Sequence, residues 1–221
     1  MEIRSFANSA ALQDALLATM QEAMQGADKS AIMLSGGGTP LALYNRIAAR
    51  PFAVNPNLHV MYSDDRLTPH DSPDSNFGNT KAMLRALGVP DSRVFAIAPE
   101  LEPPAAADAM HDALAAFFAD GGRIPLGLLG LGTDGHTASL FNLEDAAFDD
   151  RLTLVVKRPD YTRVSVTGPV IARAERLIFL VTGESKRPII QQLLSEPESL
   201  PSGRAIRGLR NVELWTDLDL G

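Results

Sequence analysis

The segment that decides the fold is Leu126-Gly-Leu-Leu-Gly-Leu-Gly-Thr-Asp-Gly-His-Thr-Ala-Ser-Leu-Phe141. Its apolar beginning, Leu126 to Leu131, predicts a strand that is buried on both faces, as in a covered parallel sheet. The glycines that follow permit tight turns and a close approach of the backbone to a ligand. The residues from Thr137 to Phe141 are predicted to begin the next helix. Because open α/β sheets bind ligands where such strands end, we expect a site here.

A carboxylate and an imidazole, Asp134 and His136, lie on this glycine-bounded turn. Together they can supply a general base and the group that orients it. The alternative interpretation is a flexible loop with an exposed histidine. We favour a site, because a predicted strand and a predicted helix fix the two ends of the turn.

The same turn matches the dinucleotide-binding pattern, with glycines at Gly130, Gly132 and Gly135. Asp149 or Asp150 follows at about the distance expected for a ribose contact. However, a histidine and a threonine come directly after the third glycine, where that fold requires close packing of helix on strand. Dinucleotide binding is therefore kept as an alternative.

The composition indicates a soluble α/β protein, and we expect one domain spanning residues 1–221, although a small appendage to a main domain is also compatible with this length. Hydrophobic residues make up 45% of the chain and cysteine is absent, which excludes disulfides and thiol chemistry. Neither a signal peptide nor a membrane span is recognisable, so we expect a cytoplasmic protein. The net charge of −7 disfavours nucleic acid and anionic membranes as partners.

An anion would therefore need a local site, and the chain offers one after the predicted strand Ala31 to Leu34. Ser35-Gly-Gly-Gly-Thr39 follows this strand and leads into a helix. Backbone N–H groups at such a turn, together with the helix dipole, bind phosphate. Ser35, Gly36, Gly37, Gly38 and Thr39 are thus candidate phosphate ligands. No Gly-Lys-Ser/Thr follows, so a nucleotide triphosphatase is not indicated.

Charged residues follow two further predicted strands. Arg66 comes after the strand Leu58 to Tyr62 and next to Asp64 and Asp65, which can hold its guanidinium as a fixed fork for an anion. Lys186 lies between another strand and a helix, a second position that favours anions. The acidic residues around Arg66 fit no metal-binding loop, so we expect no metal. The polar loop 67–79 is long enough to be functional.

The remainder of the chain reads as alternating strands and helices. These include a helix from Ala105 to Ala119, strands at Leu152–Val156 and Arg163–Thr167, and a short helix from Ile171 to Arg176. Residues 196–210, with proline and glycine, are predicted to form a surface loop.

Four motifs in this order resemble the sugar-phosphate lactonase and deaminase superfamily, and specifically the 6-phosphogluconolactonases. They are Leu34-Ser-Gly-Gly-Gly-Thr-Pro40, Asp64-Asp-Arg66 with Ser75-Asn76, Gly130-x-Gly-x-Asp-Gly-His-Thr-Ala-Ser-Leu-Phe141, and Gly183-x-x-Lys186. The resemblance spans about residues 5 to 216. The related deaminases usually have His-Ile-Ala-Phe-Asn-Glu where this chain has His-Thr-Ala-Ser-Leu-Phe. The chain departs from the family at Tyr62 (often Trp), Asp65 (often Glu) and Asn142-Leu143 (often Pro-Gly).

The resemblance implies a Rossmann-like, mostly parallel α/β sheet with helices on both faces and no cofactor. It implies hydrolysis of 6-phospho-D-glucono-1,5-lactone to 6-phosphogluconate in the oxidative pentose phosphate pathway. His136 is then the base, with Asp134 and Arg66 as its catalytic partners. Arg163 and Lys186 complete the anion clamp of the glycine turn, with Asp65 as a further substrate ligand. A phosphorylated sugar lactone is the only expected partner. The protein is expected to be a monomer or small homo-oligomer.

Two other classes of function remain as alternatives. One is an isomerase–deaminase acting on an amino sugar phosphate, against which the missing Asn-Glu after the histidine motif argues. The other is a non-catalytic protein that binds a sugar phosphate or a dinucleotide.

Overall fold

The computed structural model describes residues 1–26 and 28–220; Ala27 and Gly221, which fall within the expected domain, lie outside that description. The strands are β1 (Glu2–Ser5), β2 (Ser30–Leu34), β3 (His59–Tyr62), β4 (Asp64–Arg66), β5 (Val94–Phe95), β6 (Arg123–Gly130), β7 (Thr153–Lys157), β8 (Thr162–Val166), β9 (Leu177–Leu180) and β10 (Val212–Thr216). The α-helices are α1 (Ser9–Gln25), α2 (Gly38–Ala49), α3 (Asn76–Leu87), α4 (Pro103–Ala119), α5 (Leu143–Ala147), α6 (Gly168–Ile171), α7 (Arg187–Ser195) and α8 (Pro201–Ala205). Short 3₁₀ turns lie at Asp91–Arg93, Glu184–Lys186 and Pro197–Ser199.

The main sheet has seven strands in the order β1-β10-β9-β6-β2-β3-β5, and its neighbouring strands pair in parallel. Helices cover both of its faces. Ile32 and Leu34 of β2 pack in a cluster with α1, α2 and α3, whereas Met33 packs in a second cluster with α4 and α7. Successive residues of a strand point to opposite faces, so the uninterrupted apolar strands reflect burial on both sides. The predicted fold class is confirmed.

After β2 and after β6, the chain continues toward opposite edges of the main sheet. From β2 the chain continues to β3 and β5 on one side, and from β6 it continues to β9 and β10 on the other. A crevice forms where the direction of such a sheet reverses, outside the carboxyl ends of the strands. The Ser35–Thr39 turn and the turn after Gly130 are therefore brought side by side.

A second, antiparallel sheet has the order β4-β8-β7. It begins only one residue after β3, because Ser63 alone separates β3 from β4. Ser63 joins the sheets, since its N–H donates to Leu34 O at 2.8 Å and its carbonyl accepts from Val166 N at 2.9 Å. Arg66 and Arg163 face each other across β4 and β8.

Three local predictions were wrong. Thr137 to Phe141 does not begin a helix: Thr137 and Leu140 form an isolated bridge, Ala138 has a φ of +49°, and the helix starts only at Leu143, capped by Asn142. The helix predicted over Ile171–Arg176 lies earlier, at Gly168–Ile171, because Ala174 already pairs with Ile124 ahead of β9. Residues 196–210 are not simply a surface loop, since they include α8, which is largely buried. Within the described residues, no helix is long and apolar enough to span a membrane.

Candidate active site

A cavity of about 330 Å³ lies at the crevice between β2 and β6. It receives nearly all of the residues predicted from the sequence, from five separate segments of the chain. Those that line it are Ser35, Gly36, Gly37, Gly38, Thr39, Arg66, His136, Arg163 and Lys186. Asp134 and Asp65 do not line the cavity, and their contacts assign them to supporting positions.

The turn after β6 holds the imidazole of His136 against a carboxylate. His136 Nδ1 lies 2.5 Å from Asp134 Oδ1, which also accepts from the backbone N–H of His136 at 3.2 Å. Gly132 N donates to His136 O at 2.8 Å and closes the turn. A Cβ on Gly132 would lie 2.1 Å from His136 Nδ1. The His136 imidazole occupies the space that a side chain at position 132 would need, so glycine is required there.

This contact fixes both the charge of Asp134 and the tautomer of His136. Desolvation raises the pKa of Asp134, but the hydrogen bonds from the imidazole and backbone of His136 outweigh it and hold that pKa below its usual range. An ionised carboxylate accepts a hydrogen bond from Nδ1–H, so Nε2 is left with the lone pair of the neutral imidazole. The ring also packs on Phe141, with centroids 4.3 Å apart.

Two arginines reach the cavity from the small sheet. Arg66 Nη1 donates to Asp74 O at 3.0 Å and to Asn76 Oδ1 at 3.3 Å, and Arg163 Nη2 donates to Asp160 Oδ2 at 2.5 Å. The Nε of each guanidinium is buried without a hydrogen-bond partner among the described residues. Buried donors are nearly always satisfied in proteins, so this pair is suited to an anion.

The glycine turn and Lys186 form the opposite wall. Gly37 has a φ of +106°, a conformation that side chains rarely adopt, and α2 begins at the next residue. Thr39 Oγ1 and Thr182 Oγ1 lie 2.7 Å apart and connect this turn to the end of β9. Lys186 Nζ donates to Leu131 O at 2.5 Å. The helix N-terminus, two hydroxyls and an ammonium group thus surround one part of the cavity, a combination that favours phosphate.

Of the two neighbouring aspartates, Asp64 lines the cavity and Asp65 does not. The Asp65 carboxylate accepts from Asn76 N at 2.7 Å and from Phe77 N at 3.0 Å, and so anchors the start of α3. Burial raises the pKa of Asp65, although these backbone N–H groups oppose the shift. Its predicted contact with substrate does not agree with this placement. Side chains alternate along β4, so Asp64 and Arg66 share the cavity face.

Sequence reasoning did not select several residues that line the cavity: Asp64, Asn76, Ala138 and Thr182. Asp64 Oδ2 accepts from Ser139 Oγ at 2.6 Å, and this contact ties β4 to the His136 turn. Recognition of residues 64–66 as a strand would have identified Asp64. Within the described part of the chain, no group of three or more histidine and carboxylate side chains is arranged to hold a metal ion.

The cavity therefore combines an imidazole held by a carboxylate with two guanidinium groups, an ammonium group and a glycine turn. The chain belongs to the family of glucosamine-6-phosphate isomerases and 6-phosphogluconolactonases, whose family model matches residues 5–215. The 6-phosphogluconolactonase of Haemophilus influenzae is 36% identical over 192 residues, covering 83% of this chain and 82% of that protein. The 6-phosphogluconolactonase of Homo sapiens is 32% identical over 189 residues, covering 80% and 72%.

Solved structures extend the similarity to nearly the whole chain. The crystal structure of the 6-phosphogluconolactonase of Thermotoga maritima has a TM-score of 0.80 at 26% identity and covers 97% of this chain and 96% of that one. A monomeric glucosamine-6-phosphate deaminase has a TM-score of 0.79 at 18% identity and covers 98% and 97%. The deaminase shares the fold, whereas the named relatives above 30% identity are lactonases.

Proposed function

We propose that this chain hydrolyses 6-phospho-D-glucono-1,5-lactone to 6-phospho-D-gluconate, the lactonase step of the oxidative pentose phosphate pathway. The observation that carries the proposal is the His136–Asp134 pair at 2.5 Å, placed in the same cavity as two arginines, a lysine and a glycine turn. A lactone is a cyclic ester, so its hydrolysis needs an activated water and stabilisation of the oxyanion. A phosphorylated lactone also needs an anion site.

The proposed reaction uses His136 as the general base. Nε2 takes a proton from water as the water oxygen bonds to the lactone carbonyl carbon. The carbonyl oxygen becomes an oxyanion, which Arg66 stabilises. As the intermediate collapses, the bond between the carbonyl carbon and the ring oxygen breaks, and the imidazolium returns the proton to that oxygen. Asp134 keeps the ring in the required tautomer and stabilises the imidazolium.

The 6-phosphate is assigned to the other part of the cavity. Gly36 to Thr39 offer backbone N–H groups at the start of α2, and Lys186 and Arg163 add charge. Arg163 is 8% exposed, so its contact with a phosphate would be largely shielded from solvent and salt. Ser35 Oγ is buried without a partner among the described residues, which leaves a further hydroxyl for this wall.

The amino-sugar isomerase–deaminase is the second candidate, because a deaminase shares the fold. The residues after His136 are Thr-Ala-Ser-Leu-Phe, and they supply no carboxylate at the position where the deaminases have Asn-Glu. A dinucleotide-binding protein is disfavoured, since Gly135 does not open a helix.

Freshly prepared lactone provides the test. The wild-type protein is expected to accelerate proton release above the spontaneous rate, which is measured without enzyme and subtracted. Glucosamine 6-phosphate is the control substrate, with ammonia release as the readout. Ammonia release with no lactone turnover would replace the first candidate by the second, and binding of 6-phosphogluconate without any turnover would indicate a non-catalytic protein.

A single domain over residues 1–221, the cytoplasm as compartment, and a monomer or small homo-oligomer as the assembly remain predictions. Gel filtration with light scattering would test the assembly.

A further inference from the structure

Two neighbouring side chains of the turn between β7 and β8, Asp160 and Tyr161, contact residues at or next to the cavity. The turn is closed by Arg158 N, which donates to Tyr161 O at 3.1 Å. Asp160 contacts Arg163 at 2.5 Å, and the Tyr161 hydroxyl donates to Asp74 Oδ2 at 2.8 Å. Neither Asp160 nor Tyr161 lines the cavity. This turn therefore acts on the site only through other residues.

Asp74 connects Tyr161 to Arg66. The side chain of Asp74 accepts from Tyr161, whereas its backbone carbonyl accepts from Arg66 Nη1 at 3.0 Å. Asp74 belongs to the loop 67–75, which joins β4 to α3; the last residues of the predicted loop 67–79 form the first turn of α3. Tyr161 thus contacts this loop at Asp74, the residue whose backbone carbonyl orients the Arg66 guanidinium.

We propose that Tyr161 is a positioning residue for Arg66, acting through Asp74. This inference rests on the proposed function for its effect on catalysis. Arg66 needs such support because Arg163 stands opposite it in the strand register, and like charges at opposed positions repel each other. If the contact between the loop and Tyr161 is lost, the carbonyl of Asp74 is free to move, and Arg66 is displaced from the reacting carbonyl.

The contact is suited to persist through neutral pH. The hydrogen bond to Asp74 and the charge of that carboxylate raise the pKa of the Tyr161 hydroxyl. The phenol therefore stays protonated and remains a donor. Asp74 needs only a side-chain oxygen to accept the hydrogen bond from Tyr161.

The test compares Tyr161→Phe, Asp74→Ala and Asp74→Asn with the double variant Tyr161→Phe/Asp74→Ala. Tyr161→Phe removes only the hydroxyl, and misplacement of a catalytic group by about 1 Å can cost about 100-fold, so we expect kcat to fall by about 10- to 100-fold with a smaller change in KM. Asp74→Ala should lose a similar factor. The double variant should lose no more than either single one, because the two residues act as a unit. Asp74→Asn retains an acceptor and should restore most of the activity.

Asp71→Ala is the matched control, because Asp71 is an exposed carboxylate in the same loop and should leave kcat unchanged. An unchanged kcat in Tyr161→Phe, or losses that multiply in the double variant, would overturn the positioning role.

Hydrogen exchange of the amides of residues 70–75 tests the contact independently of catalysis. These amides should exchange faster in Tyr161→Phe than in the wild type, while those of β2 and β6 stay unchanged. Equal exchange in the loop would contradict the proposal even in an inactive protein. Absence of lactone turnover by the wild type would refute the proposed function. Faster loop exchange in Tyr161→Phe would, in that case, still support the contact between Tyr161 and Asp74.

Discussion

Arg66 and Arg163 stand directly opposite each other on the antiparallel strands β4 and β8, and both line one cavity. Side chains at opposed positions have Cβ atoms about 4.5–5.5 Å apart, and like charges there are destabilising. Each guanidinium also has a buried Nε without a partner among the described residues. An anionic substrate bound between them would offset both costs.

Arg66→Lys is expected to lose most of the lactonase activity. Lysine keeps the positive charge but replaces the planar fork with a single ammonium group, which cannot contact Asp74 O and a developing oxyanion in the same geometry. Steady-state kinetics on fresh lactone would check this. Full turnover by the variant would show that Arg66 only supports the loop.

His136→Asn is expected to lower kcat by about 10²–10⁴-fold, the usual contribution of a positioned base. The amide keeps a polar group on the turn but cannot accept and return a proton. Affinity for 6-phosphogluconate and the thermal midpoint should change little, which calorimetry can measure. Near-wild-type hydrolysis above the spontaneous rate would contradict the mechanism even though the family assignment stands.

The pH dependence of stability should report the Asp134 carboxylate. The pKa of Asp134 is lowered, so the stability that its ionised form contributes is present above the ordinary carboxyl range and is lost only as pH falls through the lowered pKa. The contact between Asp134 and His136 is therefore retained as pH falls through the ordinary carboxyl range. In Asp134→Asn the acid-side fall of the thermal midpoint should become smaller, because the ionised carboxylate that contacts His136 is absent. An unchanged dependence of the midpoint on pH would contradict this contribution of Asp134.

Lys186→Ala is expected to weaken binding of 6-phosphogluconate more than it lowers kcat. A charge-assisted hydrogen bond is worth about 1.5–3 kcal/mol, which corresponds to about 10- to 150-fold in Kd. Arg187→Ala is the control, since the neighbouring Arg187 pairs with Glu184 and does not line the cavity. Equal affinity in Lys186→Ala and the wild type would exclude Lys186 from the phosphate site.

Gly132→Ala and Gly130→Ala form a matched pair on the same turn. A Cβ at Gly132 would lie 2.1 Å from His136 Nδ1 and 2.5 Å from Asp134 Oδ1, whereas nothing lies within 4 Å of a Cβ at Gly130. Gly132→Ala should therefore lose activity by displacing the imidazole, and Gly130→Ala should retain it. Circular dichroism would establish that both variants fold. Similar activity in the two would mean that the turn can shift without cost.

The sequence predicted the sheet and many of the residues that line the cavity, because buried parallel strands are uninterrupted apolar runs and their ends carry glycine and polar residues. Leu126 to Leu131 and Ala31 to Leu34 show this pattern directly. Their adjacency in the sheet placed the two glycine turns together.

The small sheet could not be predicted in the same way. β4 contains only Asp64, Asp65 and Arg66, which have no apolar pattern, and its strand character comes from pairing with β8 about a hundred residues later. The distinction between Asp64 and Asp65 depends on that pairing. The segment after Gly135 was mistaken for a helix because Thr-Ala-Ser-Leu-Phe lacks glycine and proline. Its turn is instead fixed by tertiary contacts such as Ser139 N to Ser165 Oγ at 3.1 Å.

The turn after β6 is closed on itself, by Gly132 N to His136 O and by Thr137 Oγ1 to Gly130 O at 2.9 Å. The groups proposed to transfer the proton, Asp134 and His136, consequently lie in one contiguous segment of the sequence, whereas the groups proposed to hold the 6-phosphate come from three others. Substitutions in those three segments can alter how a phosphorylated sugar is held while leaving Asp134 and His136 in place. Substrate preference can thus change separately from the proposed base.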